Sequence, residues 1–153
     1  MTESGILLCV VVLCALVFDY INGFHDTANA IATSVSTRAL TPKRAVVIAA
    51  VLNFLGALYS TGVAQTIARD IVSPALVTQE VVIAGLLGAI AWNLITWYFG
   101  IPSSSSHAII GGLVGSMIAR MGFASVEWYG FAKILTALVV SPMLGMLLAF
   151  CVM

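Results

Sequence analysis

The chain has 153 residues, 61% of them hydrophobic and only 8% charged. Soluble domains carry roughly a quarter charged residues, so this sequence lacks the polar groups to cover a globular surface and reads as an integral membrane protein. Six basic residues balance six acidic ones, which leaves no electrostatic case for nucleic acid.

Apolar runs at 5–18, 45–59, 81–99 and 134–153 each approach, with their flanks, the ~20 residues that cross a bilayer as a helix. A cleavable signal peptide is not expected. Glu3 stands where a basic segment would, and no small-residue cleavage site precedes Asp19. Cys9, Cys14 and Cys151 sit inside apolar runs without metal-ligand spacing, and read as small packing residues.

The first predicted span covers about 5–35, more than a bilayer core needs at ~1.5 Å per residue. Its second half, FDYINGFHDTANAIATS, is unusually polar, and Gly23 is its turn signal. The expectation is a broken first helix. Arg38, Lys43 and Arg44 surround Pro42 as the densest basic cluster of the chain. The positive-inside rule puts that loop in the cytoplasm and the N-terminus outside. A second span, about 44–64, returns, and 65–79 reads as a polar external loop.

The segments 81–99 and 108–119 flank the sequence GIPSSSSH. The second is ~18 Å long as a helix, too short to cross. Either 81–99 crosses and the serine segment dips in from the cytoplasm, or both form a re-entrant hairpin, 81–120, with its tip at 101–107 in mid-membrane. The hairpin is favoured. Serines and a histidine suit a ligand-facing loop, where irregular backbone is tolerated. A last span, about 133–153, holds Ser141 and Pro142 and is expected to kink there.

Three constellations carry chemistry. Asp19, Asn22, Asp26, Asn29 and Thr33 fall within an ~80° arc of one helix face. Carboxylates in a bilayer normally face a partner or a pathway; a stripe that only packs helices together is the plainer alternative. His25 lies just off this stripe, as a proton acceptor or an interfacial residue. The second constellation is Pro102, Ser103, Ser104, Ser105, Ser106 and His107. Proline and serine suit a helix start, whose free N–H groups and dipole favour an anion. A serine-rich turn that merely caps the helix is the alternative. The third is the small-residue face Gly111, Gly112, Gly115 and Ala119, in which Gly111 and Gly115 form a GxxxG packing signal. Asn93 and Thr96 precede the serine tip and are expected to face the same cavity.

Taken together, INGFHDTANAIAT (21–33) and WNLITWYFGIPSSSSHAIIGGLVG (92–115) closely resemble the two signature regions of the PiT inorganic phosphate transporter family. VVSPMLG (139–145) is similar to the family's next segment. FHDTANA resembles the wording of the bacterial proton-coupled branch, whereas sodium-coupled members more often show asparagine at the position of His25. The resemblance implies an all-α, multi-pass symporter of the cell (inner) membrane, dimeric and built of two homologous inverted halves. This chain carries one copy of each motif, so 1–153 is expected to be a single transmembrane repeat that pairs with a second half or a second copy.

By that resemblance Asp19, Asn22, Asp26 and Asn29 belong to the first substrate-and-cation motif, and Ser103–His107 to the hairpin-tip motif. Carboxylates repel phosphate, so Asp19 and Asp26, with Asn22, His25 and Asn93, are expected to hold the coupling cation or proton. That ion is H+ or Na+, or a divalent metal carried with phosphate, and no cofactor is expected. Asn29, Ser103, Ser104, Ser105, Ser106 and His107 are expected to donate to phosphate oxygens. Two rivals are a non-transporting half and a membrane serine hydrolase. The second lacks a GxSxG elbow.

Overall fold

The computed structural model describes residues 3–59 and 76–152. The described residues form five α-helices and no strand: α1 (Glu3–Ser36), α2 (Pro42–Tyr59), α3 (Gln79–Tyr98), α4 (Ser105–Met121) and α5 (Trp128–Val152), with a short 3-10 turn at Phe123–Ser125 before α5. Four of them, α1, α2, α3 and α5, are long and apolar enough to cross a membrane. The outer part of the second predicted span, 60–64, and most of the polar loop, 65–75, lie outside the described residues.

The expected break in the first helix is not there. α1 runs unbroken for 34 residues through Gly23. A helical glycine costs about 1 kcal/mol relative to alanine. Opening the helix in lipid would strand several backbone polar groups at several kcal/mol each, so continuity wins. The helix ends where Thr33 becomes crowded with donors. Its carbonyl accepts from the Thr37 amide at 3.0 Å, the Thr37 hydroxyl at 2.7 Å and the Ser36 hydroxyl at 3.1 Å. Arg38 then turns the chain with a φ of 61°, and Pro42 opens α2 at the position where its missing N–H is harmless.

α3 and α4 form the expected antiparallel hairpin, joined by the irregular stretch 99–104. Ser105, Ser106 and His107 are not loop but the first turn of α4. The two helices touch backbone to backbone. A methyl group on Gly112 would collide with the carbonyl oxygen of Gly85, and one on Gly85 would stand 3.0 Å from the Leu113 side chain. Close approach therefore rests on Gly85 and Gly112. Gly111 and Gly115, the GxxxG pair expected to do this, meet no atom within 4 Å.

The core lies at the end of the hairpin away from the tip. Val81, Ile110, Val114, Met117 and Val126 are buried there, and Phe131 and Ile134 of α5 pack against them. Arg120 clasps this end, donating to the Thr78 hydroxyl at 2.7 Å and to the Glu80 carboxylate at 2.9 Å. α5 starts five residues before the predicted boundary because aromatic packing extends it. Trp128 stacks on Phe123, meets Phe131 edge-on, and donates its indole N–H to the Phe123 carbonyl at 3.2 Å. Pro142 lies inside α5. It removes the donor that the Leu138 carbonyl would otherwise use.

Candidate functional site

The site grows from the way α3 stops. Its last carbonyls are recaptured within the turn. The Phe99 amide donates to Ile95, Gly100 to Trp97, and Ile101 to Thr96 at 2.8 Å. Gly100 holds the left-handed φ of 65° that this closure needs. Pro102 and Ser103 follow, and Ser104 precedes the first turn of α4 in an extended conformation. The Ser104 hydroxyl makes no capping hydrogen bond. A serine placed only to cap would spend its hydroxyl on the second or third amide of the helix. The first amides of α4 therefore keep their donors and the positive end of the helix dipole.

α1 crosses this tip with its polar face. The Ser105 hydroxyl donates to Asp26 Oδ1 at 3.2 Å. Asn29 Nδ2 donates to the Ser103 carbonyl at 3.4 Å. His25 is buried and bridges two elements, with Nδ1 3.3 Å from Asp26 Oδ1 and Nε2 3.3 Å from Thr96 Oγ1. The Thr96 hydroxyl also reaches back to the Trp92 carbonyl at 2.9 Å and the Asn93 carbonyl at 3.1 Å. Trp92 donates its indole N–H to the Ser103 hydroxyl at 3.3 Å.

The burial pattern is graded. Ser105, Thr96 and Asn93 are sealed at 1%, 1% and 0% exposure. The Asp26 side chain is 40% exposed, and Asn29, Ser106 and His107 face outward. Asn93 is the anomaly, since neither its amide nitrogen nor its oxygen has a partner. A buried amide without partners costs a few kcal/mol, so a site that can supply a water or an ion is the physical expectation at that position.

The structure gathers Asp26, His25, Asn29, Ser103 and Ser105 into one cluster, and buries Asn93 next to Thr96. It does not bring Asp19 or Asn22 to the tip; Asp19 is exposed on the same helix seven residues away, ~10 Å along the axis. His107 lines a cavity of about 370 Å³ with Gly88, Trp92, Ala108, Gly111 and Gly112. Trp92 is the residue of this cluster that the sequence reading missed. Its signal was the i, i+4 relation to Thr96, which puts both on the helix face toward the tip. Among the described residues no three His, Cys, Asp or Glu side chains converge on a point that could hold a metal. A cation at Asp26 would complete its shell from hydroxyl, amide and backbone oxygens.

The arrangement sets a carboxylate against the positive end of a helix. That end attracts an anion, and the carboxylate repels one until its charge is neutralised.

Comparison with known proteins gives the same address. A family model described as the phosphate transporter family matches residues 22–153. A probable low-affinity inorganic phosphate transporter of Bacillus subtilis is 60% identical over 147 residues, which are 95% of this chain and 44% of that protein. The low-affinity inorganic phosphate transporter PitA of Escherichia coli is 41% identical, with 96% of this chain and 32% of that protein covered. A solved structure titled the sodium-dependent phosphate transporter superposes with a TM-score of 0.86 at 36% identity, over 94% of this chain and 37% of that one. The chain thus spans less than half the length of these three proteins. These relatives are transporters rather than enzymes, so the hydrolase reading of the serines is set aside. The chain is a helical membrane protein and belongs to the phosphate transporter family.

Proposed function

We propose that this chain forms one half of a cation-coupled phosphate symporter, a single transmembrane repeat over 1–153. The observation that carries this is the hydrogen bond from Ser105 at the start of α4 to Asp26 on α1. It puts the anion donors and the cation acceptor within one contact of each other. Phosphate would take the first amides of α4, with the Ser103, Ser104 and Ser105 hydroxyls and the Asn29 amide. Ser106 and His107 face outward and would close on phosphate from the opposite side.

Asp26 makes phosphate binding conditional on a cation. With its charge free, the carboxylate opposes the incoming anion. With a proton or Na+ on it, the opposition vanishes and Ser105 is released to donate elsewhere. His25, held between Asp26 and Thr96, is the group suited to carry a proton. Asn93 offers an unpartnered amide oxygen to a cation moving inward. Asp19 and Asn22 lie further along α1, as an approach to the site. A divalent metal would ride with phosphate rather than reside in the protein.

The exposed polar edge of Asn29, Ser106 and His107 needs an opposite wall. A second homologous half, or a second copy of this chain in a dimer, supplies it. The proposed setting is the inner membrane, with the N-terminus outside and the Arg38–Arg44 loop in the cytoplasm. Uptake of labelled phosphate by liposomes tests the reading. The protein containing this chain and its second half should accumulate phosphate under an imposed proton or sodium gradient. Accumulation that is indifferent to both gradients would refute coupled symport.

A further inference from the structure

The wedge between α1 and α2 has a chemistry that phosphate transport does not use. Among the described residues, α2 is buried against its surroundings at its looped end. Ala45, 2% exposed, is the buried residue of α2. Beyond it the helices part, and neither Gly23 nor Gly56 has an atom within 4 Å of where a Cβ would stand. The gap is a trough of about 590 Å³, lined among others by Phe24, Thr27, Ile31, Val46, Ala50 and Asn53. That volume lies in the range of sites that hold small organic ligands.

The looped end of the trough is cationic. Lys43 lies one helical turn before Val46 on the same face of α2, and Arg38, Lys43 and Arg44 are all exposed, with no ion pair among the described residues. Arg38 also holds the left-handed conformation at φ 61°. Glycine takes that conformation without steric cost, and arginine does not. A cation kept where glycine would fold better marks a position held for its charge.

We propose that this wedge binds one anionic phospholipid, with its phosphate on Arg38, Lys43 and Arg44 and one acyl chain along the trough toward Ala50 and Asn53. Charge complementarity selects this occupant. An uncharged lipid or an apolar helix would leave three cations unanswered, and a free anion would leave the apolar trough empty.

Native mass spectrometry of the full chain, with added dioleoylphosphatidylglycerol or dioleoylphosphatidylcholine, tests it. The chain should retain the anionic lipid at least tenfold more than the zwitterionic one. Arg38→Gln, Lys43→Gln and Arg44→Gln should each lower that preference about fivefold. Ala50→Trp should lower retention of both lipids and leave the preference intact. Ala50→Leu should act in the same direction and is a residue common in membrane helices, so it guards against misfolding of the tryptophan variant. Equal retention of the two lipids would overturn the proposal. So would unchanged retention in both Ala50 variants, which reduces the loop to general surface charge. Stoichiometric cross-linking of two chains through a cysteine at position 50 would assign the trough to a second copy instead.

Discussion

The two ends of the α3–α4 hairpin are built on opposite principles. At the base, Val81, Val114 and Met117 bury apolar surface, and the Arg120 clasp leans outward, with both side chains about half exposed. At the tip, the most deeply buried side chains are polar: Ser105, Thr96 and Asn93. The base spends burial on holding the helices together. The tip places polar groups where apolar ones would be cheaper, and leaves one of them unpartnered. Such a contrast within one hairpin supports the proposed division into a scaffold end and a ligand-facing end, because buried polar groups without partners are costly.

Substitutions at the two ends should therefore fail in different ways. The largest effect is expected for Asp26→Asn, which keeps size and removes charge. Gradient-driven phosphate accumulation in liposomes should be abolished, while exchange of phosphate down its own gradient survives. Next comes the base. Gly112→Ala drives a methyl group into the Gly85 carbonyl, and overpacking of this kind costs about 1–3 kcal/mol in thermal unfolding. Gly111→Ala meets nothing and should raise the melting temperature slightly, since a helical glycine costs about 1 kcal/mol relative to alanine.

Similar in size, but read in binding rather than in stability, is the loss of one hydroxyl. Ser105→Ala and Ser104→Ala should each weaken phosphate binding by about 1.5–3 kcal/mol, one hydrogen bond to a charged group. Calorimetric titration with phosphate reads this directly. The Ser104 variant should melt like the parent, since its hydroxyl caps nothing. Lost stability with unchanged affinity would return that serine to a structural role. The smallest effect is expected at Arg120→Gln. Its partners are exposed, so the clasp is worth about 0.2–1 kcal/mol and phosphate affinity should not move.

Much of this was legible in the residues. Apolar run lengths marked the four helices long and apolar enough to cross a membrane, and the two segments flanking Pro102 pack as an antiparallel pair, as a hairpin requires. Asp26, His25, Asn29 and the tip serines stood out because polar side chains are costly in lipid. What the sequence hid was relational. Ser105 rather than Ser106 meets Asp26 because of the rotation of α4 about its axis, which one chain of letters does not carry. The same rotation moved the packing glycines from Gly111 and Gly115 to Gly112, whose partner Gly85 lies 27 residues earlier. Gly23 suggested a break because its local cost was weighed without the larger cost of open backbone in lipid. Trp92 was overlooked because a tryptophan in an apolar run resembles an interfacial anchor. Lys133 was taken as a boundary, yet the aromatic cluster at Trp128 carries the helix past it.

The central claim is that Asp26 must be neutralised before phosphate can sit on the start of α4. Its most direct test is phosphate affinity measured with and without coupling cation, in the parent protein and in Asp26→Asn, each paired with its second half. The account predicts tight binding in the parent only when sodium or a lowered pH neutralises the carboxylate. It predicts binding in Asp26→Asn that no longer depends on either. If the variant kept the parent's cation dependence, the gate would lie elsewhere and Asp26 would be a packing residue.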